Sequence, residues 1–272
     1  MIKTLVRAQK AERERFTVPR SVQDAIPIRR VWPDGVFQAG KQFSKTFSFT
    51  DINYSIAGKD EKTSMFLDYS ELLNALDSGA SAKITIHNRR LDKAEFECAL
   101  LLPMKEDGLD GYRREYNEML LSKVTGTNNS VVQERYFTVS VVKKNVDEAR
   151  IGTDLLTHLS RLSSVGRELD LPARLQIFRD FFREGEPAPP FDWSGQARRG
   201  HSFKDWFCPD AMEFESDCFR IDGRWGRVLY LRDYASYLKD SMIAELCGLN
   251  RSLMLSIDIL PVPTDAAVRA IQ

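Results

Sequence analysis

The sequence lacks several features that would assign it to a class at once. It has only four cysteines in 272 residues, and they are widely separated: Cys98, Cys208, Cys218 and Cys247. No two of them form a C-x-x-C pair, so the pattern favours reduced, packed thiols over disulfides or a metal site. No apolar run reaches the roughly 18 residues that a membrane-spanning helix needs. The charged opening does not resemble a secretory signal, and we therefore expect a cytoplasmic protein.

An excess of charge of either sign is also missing. Lysine plus arginine number 39, aspartate plus glutamate number 39, and the formal net charge is zero. A dedicated nucleic-acid-binding protein usually carries a marked basic excess, so this balance counts against that class. The hydrophobic content of 43% is enough to bury a sizeable core, in one large domain or two small ones.

Motifs for phosphate binding are incomplete. Residues 35–41 (GVFQAGK) have the glycine and lysine spacing of a P-loop, but Gln42 stands where a magnesium-binding serine or threonine is required. The residues that follow are strand-like, which predicts a turn that feeds a strand and not a phosphate-binding helix. Two further fragments, Gly58-Lys59 and residues 62–64 (KTS), resemble pieces of a phosphate loop without its glycine frame.

The side chains that commonly carry catalysis are scattered along the chain. His87, His158 and His201 lie far apart, and there is no H-E-x-x-H or G-x-S-x-G motif. A catalytic cysteine–histidine pair remains an alternative, because the two residues of such a pair can be far apart in the sequence and close together in the folded protein. We therefore predict no catalytic, cofactor-binding or metal-binding residue, and we expect a chain that is neither an enzyme nor an ATP-binding protein.

Apolar spacing predicts an α+β fold of two lobes, each a small sheet packed with helices. The first lobe covers residues 43–145 and the second covers residues 205–265. In the first lobe we predict strands and helices in alternation, at 45–56, 62–76, 82–87, 108–121 and 131–142. In the second we predict a hairpin around Asp222-Gly223, a helix and a final strand, at 212–231, 234–246 and 252–260.

The remaining segments connect or flank the lobes. Residues 1–42 are predicted to be a basic amino-terminal arm and lead-in, since residues 1–30 hold eight basic and three acidic side chains. Residues 146–184 are predicted to be connecting helices, the first of them long, because one apolar stripe comprises Leu155, Leu159, Leu162, Val165 and Leu169. Prolines and glycines predict a loop at 185–204, and residues 266–272 are expected to start a truncated helix.

One short segment offers an alternative function. Residues 198–206 mix basic and aromatic side chains, as a loop that binds single-stranded nucleic acid would. Together with the basic arm, it would make the chain a nucleic-acid-binding module. The simpler interpretation of the same loop is a flexible linker, and an enzyme with a site assembled from scattered residues is a further alternative.

Six segments, in order, carry a resemblance to a known family. They are residues 47–54 (FSFTDINY), 84–89 (ITIHNR), 112–117 (YRREYN), 135–140 (RYFTVS), 229–234 (LYLRDY) and 257–263 (IDILPVP). Together, over residues 25–272, they resemble the amino-terminal region of the CagE/TrbE/VirB family of type IV secretion and conjugation ATPases, in the form found on mobile elements of Gram-positive bacteria.

The resemblance implies a role in DNA transfer without catalysis by this fragment. In that family the matching region precedes a RecA-like motor domain, whose Walker motifs have no counterpart here, so the helix at 266–272 would lead toward a missing ATPase domain. The region would dock the motor onto membrane channel components at the cytoplasmic face and onto neighbouring subunits, with self-association in the full-length motor. Peripheral membrane contact through the basic arm is also expected.

Overall fold

A computed structural model of the protein describes residues 19–76, 79–90, 101–126, 131–142, 153–186, 189–233, 241–263 and 267–269. These ranges contain both helices and antiparallel sheets, and the sheets pack against helices. The fold class is therefore α+β, which confirms the prediction from apolar spacing.

The larger sheet has seven strands. They are β1 (Ile28–Val31), β2 (Phe37–Ala39), β3 (Gln42–Phe49), β4 (Ala80–Arg90), β5 (Val131–Val142), β6 (Gly166–Glu168) and β10 (Leu253–Ile259). The strand order is β1-β2-β3-β5-β4-β10, and β6 pairs with the end of β3 on the edge opposite β5. Every pairing is antiparallel, and the longest ladder joins β4 to β5.

A smaller sheet contains β7 (Met212–Phe214), β8 (Phe219–Ile221) and β9 (Arg224–Gly226). Asp222 and Gly223 join β8 to β9 with φ values of 45° and 80°. Positive φ at both central residues suits a tight hairpin turn, so the predicted turn lies where the sequence places it. The strands are shorter than predicted, because regular pairing ends at Gly226.

Seven helices and one 3-10 turn accompany the sheets in the described residues. They are α1 (Val22–Ala25), α2 (Lys59–Asn74), α3 (Asp110–Gly126), α4 (Thr153–Arg161), α5 (Leu171–Phe182), α6 (Trp193–Arg198), the 3-10 turn (Phe203–Trp206) and α7 (Ser241–Cys247). The start of α5 is encoded locally. The Asp170 side chain accepts a hydrogen bond from the Ala173 amide, and Pro172 lies in the first turn.

Alternation along β3, β4 and β5 builds one core. Phe47, Ile84 and Phe137 stand side by side on one face of the sheet, because each occupies the same register position on its strand. Leu72 of α2 and Leu159 of α4 pack against that face. A second core joins β1 and β2 to α5 and the 3-10 turn, through Ile28, Phe37, Leu175, Trp206 and Phe207.

The long connecting helix is a wrong prediction. The helix α4 ends at Arg161, Ser163 adopts a positive φ of 58°, and β6 follows after two residues. Ser164 donates its hydroxyl proton to the Thr50 carbonyl, which replaces a helical hydrogen bond. Four leucines of the predicted stripe are buried in this helix–turn–strand arrangement, whereas Val165 is 71% exposed. Helical spacing therefore predicted burial correctly and conformation incorrectly.

Part of the predicted arm and part of the predicted loop have regular structure. Residues 28–31 and 37–39 form two strands of the larger sheet, and Ile26 and Ile28 are core residues. Within 185–204, α6 is helical and Trp206 beyond it donates its ring N–H to the Pro189 carbonyl. Apolar contacts with α5 hold these segments in place. The glycine and proline content of a segment does not reveal such long-range contacts.

Strands from both sides of residues 185–204 contribute to the larger sheet. Its last strand, β10, pairs with β4 over seven residue pairs, although sequence spacing assigns β10 to the second lobe. The division into two lobes stays a prediction. Several predicted segments lie outside the described residues: residues 1–18 of the arm, residues 234–240 of a helix, and residues 264–266 and 270–272 of the terminal helix. Residues 267–269 are helical.

Candidate functional site

The P-loop-like residues form a hairpin. Gly35 lies in the turn between β1 and β2 with φ of 78°, and Gly40 lies in the turn between β2 and β3 with φ of 60°. Lys41 follows in that second turn, and β3 begins at Gln42. The expected turn that feeds a strand is therefore confirmed, and no helix follows Lys41 to receive a phosphate.

The histidines and cysteines occupy separate places. His87 is on β4, His158 is on α4, and His201 lies before the 3-10 turn with its Nδ1 3.4 Å from Asp205. Cys208 and Cys247 are buried, and burial raises the pKa of the Cys208 thiol to about 11, which disfavours a reactive thiolate. Cys98 lies outside the described residues. Among those that are described, no three acidic, histidine or cysteine side chains converge to hold a metal ion.

One cavity is an open groove of about 770 Å³ at one end of the larger sheet. It is lined by the ends of β3 and β4 and the start of β5 on one side, and by one face of α5 with residues 183–186 on the other. The groove is lined by four arginines and five carboxylates: Arg89, Arg90, Arg135, Arg183, Asp51, Glu134, Asp180, Glu184 and Glu186. Such a lining has almost no net charge.

The charged side chains of the groove are already paired with one another. Arg89 Nε lies 3.1 Å from Glu134 Oε1 and 3.8 Å from Asp180 Oδ2. Arg135 donates to Asp51 at 2.7 Å. The Tyr136 hydroxyl donates to Glu134 Oε2 at 2.6 Å, and burial together with this carboxylate raises the pKa of Tyr136 well above its usual range. The charges of the groove are largely balanced by these internal pairs, so its lining favours neither an anionic nor a cationic ligand.

Next to this network lies a buried imidazole. His87 is 1% exposed, stands opposite Glu134 on β5 and Met254 on β10, and its Nδ1 has no hydrogen-bond partner among the described residues. Burial lowers its pKa below the ordinary 6.5, against the opposing attraction of Glu134 and Glu184. At neutral pH the ring is therefore uncharged. His87 does not line the groove, and its ring is closed off from solvent.

Within residues 198–206, Lys204 and Trp206 make internal contacts, whereas Arg198 and Arg199 are exposed. Lys204 Nζ donates to the carbonyl oxygens of Gln23 and Ile26, at 2.7 Å each. Trp206 is 6% exposed and packs against Phe191, with ring centroids 5.5 Å apart. These groups anchor the segment to the core and do not face solvent as a nucleic-acid surface would.

Among the described residues, a run of four exposed apolar side chains follows β9. Val228, Leu229, Tyr230 and Leu231 are consecutive, lie outside regular structure, and are 75%, 83%, 78% and 49% exposed. Trp225, just before them, is 63% exposed. Soluble domains rarely leave so much contiguous apolar surface in water unless it binds a partner or a membrane. The sequence predicts that these residues belong to a strand of the hairpin. Its pattern of apolar residues does not distinguish an exposed strand from a buried one.

No protein-family model matches the chain. A search of curated proteins gives no significant match either. None of the helices in the described part of the chain is long and apolar enough to cross a membrane.

Proposed function

We propose that this chain is a non-catalytic interaction domain of a conjugative DNA-transfer ATPase of the type IV secretion kind. It docks the motor to membrane channel components at the cytoplasmic face, and to neighbouring subunits. The proposal combines the resemblance of the six sequence segments with one structural observation, which is the uncovered apolar segment 228–231.

The composition of that segment suits a protein partner. Tyrosine, tryptophan and arginine are the residues that most often dominate binding energy at protein interfaces, and Trp225, Arg227 and Tyr230 supply all three within six positions. The Arg227 side chain is held in place by Asp217, because Arg227 Nη2 donates a hydrogen bond of 2.6 Å to Asp217 Oδ2. A preordered arginine beside exposed aromatic side chains lowers the entropy that binding would cost.

The test is co-purification of the chain with each integral-membrane subunit encoded in the same transfer gene cluster. We expect one subunit to bind, and the double substitution Leu229→Asp with Tyr230→Asp to weaken that binding by about thirtyfold, as loss of an interface hot spot does. The matched control is Leu109→Asp, because Leu109 is also apolar and 53% exposed but lies before α3. Equal loss with the control, or no effect of the double substitution, would remove the segment from the interface.

A further inference from the structure

The second cavity differs from the groove in its chemistry. It has a volume of about 530 Å³ and is lined by Tyr54, Lys59, Lys62, Thr63 and Phe66. These side chains provide two amines, two aromatic rings and two hydroxyls. Among the described residues, no carboxylate lines it. Neither lysine forms an ion pair with a described carboxylate, in contrast to the arginines of the groove.

The register of α2 explains how the cavity excludes acidic side chains. Lys59, Lys62, Thr63 and Phe66 are separated by three, four and seven positions, so they share one face of the helix. Asp60 and Glu61 are on the other faces, and Glu61 turns back to accept a hydrogen bond from the Gly58 amide at 3.0 Å. The cavity therefore carries two positive charges that nothing lining it neutralises.

The aromatic rings are placed beside those charges and remain accessible. Lys62 Nζ lies 5.1 Å above the centroid of the Tyr54 ring and 3.5 Å from the Ser55 carbonyl oxygen, which orders both side chains. Tyr54 is 46% exposed and Phe66 is 66% exposed, so a planar group can stack on either ring. Thr63 is held against the helix by a hydrogen bond from its hydroxyl to the Lys59 carbonyl.

We propose that this cavity binds a nucleotide unit of single-stranded nucleic acid, with the base stacked on Phe66 or Tyr54 and the flanking phosphates beside Lys59 and Lys62. Paired basic and aromatic side chains are the combination that holds single strands, because every base has a face to stack and every link has a negative charge. The inference uses other residues than the docking segment and does not depend on the proposed function.

A strand fits the cavity better than a free nucleoside triphosphate does. The Gly58-Lys59 and KTS fragments resemble parts of a phosphate loop, but here they form one turn of a helix and its side-chain face. They provide no glycine-rich backbone to surround a triphosphate, and such a loop is what makes a single nucleotide bind tightly. A strand compensates by continuing beyond the cavity, where each neighbouring link adds a phosphate.

The test is fluorescence anisotropy of the full chain with a labelled oligothymidine of 12 nucleotides, over a series of salt concentrations. We expect Phe66→Ala to weaken binding by about tenfold through lost stacking. The double substitution Lys59→Gln with Lys62→Gln should reduce the slope of log affinity against log salt by about 1.4, which corresponds to two phosphate contacts on a single strand.

Matched controls and competing ligands make the result decisive. Phe214→Ala removes an aromatic ring that is 71% exposed on the smaller sheet, and Lys41→Gln removes an exposed lysine in a turn. Both should leave binding unchanged. Equal effects of control and test variants would overturn the proposal. Tight binding of ATP with magnesium through Lys59 and Lys62, without binding of the oligonucleotide, would also overturn it. The same holds if the Lys59/Lys62 double variant loses binding to phosphatidylserine vesicles but keeps binding to the oligonucleotide.

Discussion

Arg174 is a buried cation held by neutral groups. It is 5% exposed, its NH1 donates to the carbonyl oxygens of Gly35 and Ser44, and its guanidinium lies 4.1 Å from the centroid of the Phe37 ring. Burial lowers its pKa to about 9, which still leaves it charged at neutral pH. One side chain thus joins α5 to β3 and to the turn before β2.

We predict that Arg174→Met lowers the free energy of unfolding by about 3 kcal/mol, because it keeps the apolar stem but leaves the carbonyl acceptors of Gly35 and Ser44 without their donor. Arg174→Lys should also destabilise, since one amine cannot reach both carbonyls and the Ser44 hydroxyl. Urea unfolding measures both, with the exposed Arg198→Met as control. A loss no larger than that of the control would show that the buried contacts contribute little.

His87 makes stability depend on pH. Its pKa is lowered by burial in the folded state, so the unfolded chain takes up a proton more readily, near the ordinary value of 6.5. The stabilisation is therefore complete above about pH 6.5 and is lost as the pH falls below it, by at most about 1.4 kcal/mol per pH unit. We predict that His87→Gln flattens the stability profile between pH 5 and 7, as measured by urea unfolding. Parallel profiles for the two proteins would contradict this origin.

At the scale of elements, the turn between β1 and β2 explains a glycine that the sequence suggested for phosphate binding. Gly35 has a positive φ, and a Cβ atom added there would collide with the Leu169 carbonyl oxygen, just before α5. Gly40, the second glycine of the same motif, also has a positive φ, but nothing lies within 4 Å of its added Cβ. Gly35 is therefore required both by its backbone conformation and by close packing, whereas Gly40 is required by its backbone conformation alone.

We predict that Gly40→Ala costs about 1 kcal/mol, the price of a left-handed conformation alone. Gly35→Ala should cost more than about 3 kcal/mol, because the backbone of Leu169 must also move. Thermal and urea unfolding of the two variants give the comparison directly. If both variants lose the same amount, the turn and α5 separate more easily than their contacts indicate.

The elements also show what sequence patterns contain. The alternation at 131–142 predicts both the first and the last residue of β5, and Asp222-Gly223 predicts the turn between β8 and β9. Both predictions are correct because the local backbone preferences of these residues are enough to determine the structure. The stripe from Leu155 to Leu169 fails, because a buried position every three or four residues is compatible with helix, turn and strand when the sheet supplies the contacts. The cavity at Tyr54 and Lys62 could be found only in part, since helical spacing gives one face but not the loop that meets it.

At the scale of the whole molecule, the ladder between β4 and β10 joins residues 80–90 to residues 253–259, across the segment 185–204. The Asn88 amide adds a hydrogen bond to the Cys247 carbonyl at 2.7 Å. Between them lies the exposed pair Arg198 and Arg199, at the end of α6. A cut there removes the covalent link and leaves the ladder and the α5 core intact.

We predict that limited trypsin treatment cuts first within residues 185–204, after Arg198 or Arg199, and that the two pieces stay together. Denaturing electrophoresis should show two bands, while the native mass remains near 31.1 kDa. Dissociation in 6 M urea provides the control that the link was broken. Pieces that separate in native buffer would mean that each lobe holds together without the other, as the division at residues 185–204 predicted.

The strand order has a consequence during synthesis on the ribosome. The outer edge of β4, the strand that carries Ile84 and Ile86, is covered by residues that are translated about 170 residues later. At roughly 5 to 20 residues per second, that edge waits some 8 to 34 s for its partner. An open apolar edge is a template for pairing with other nascent chains, so factors that shield emerging polypeptides should determine how much of this protein reaches its native state in the cell.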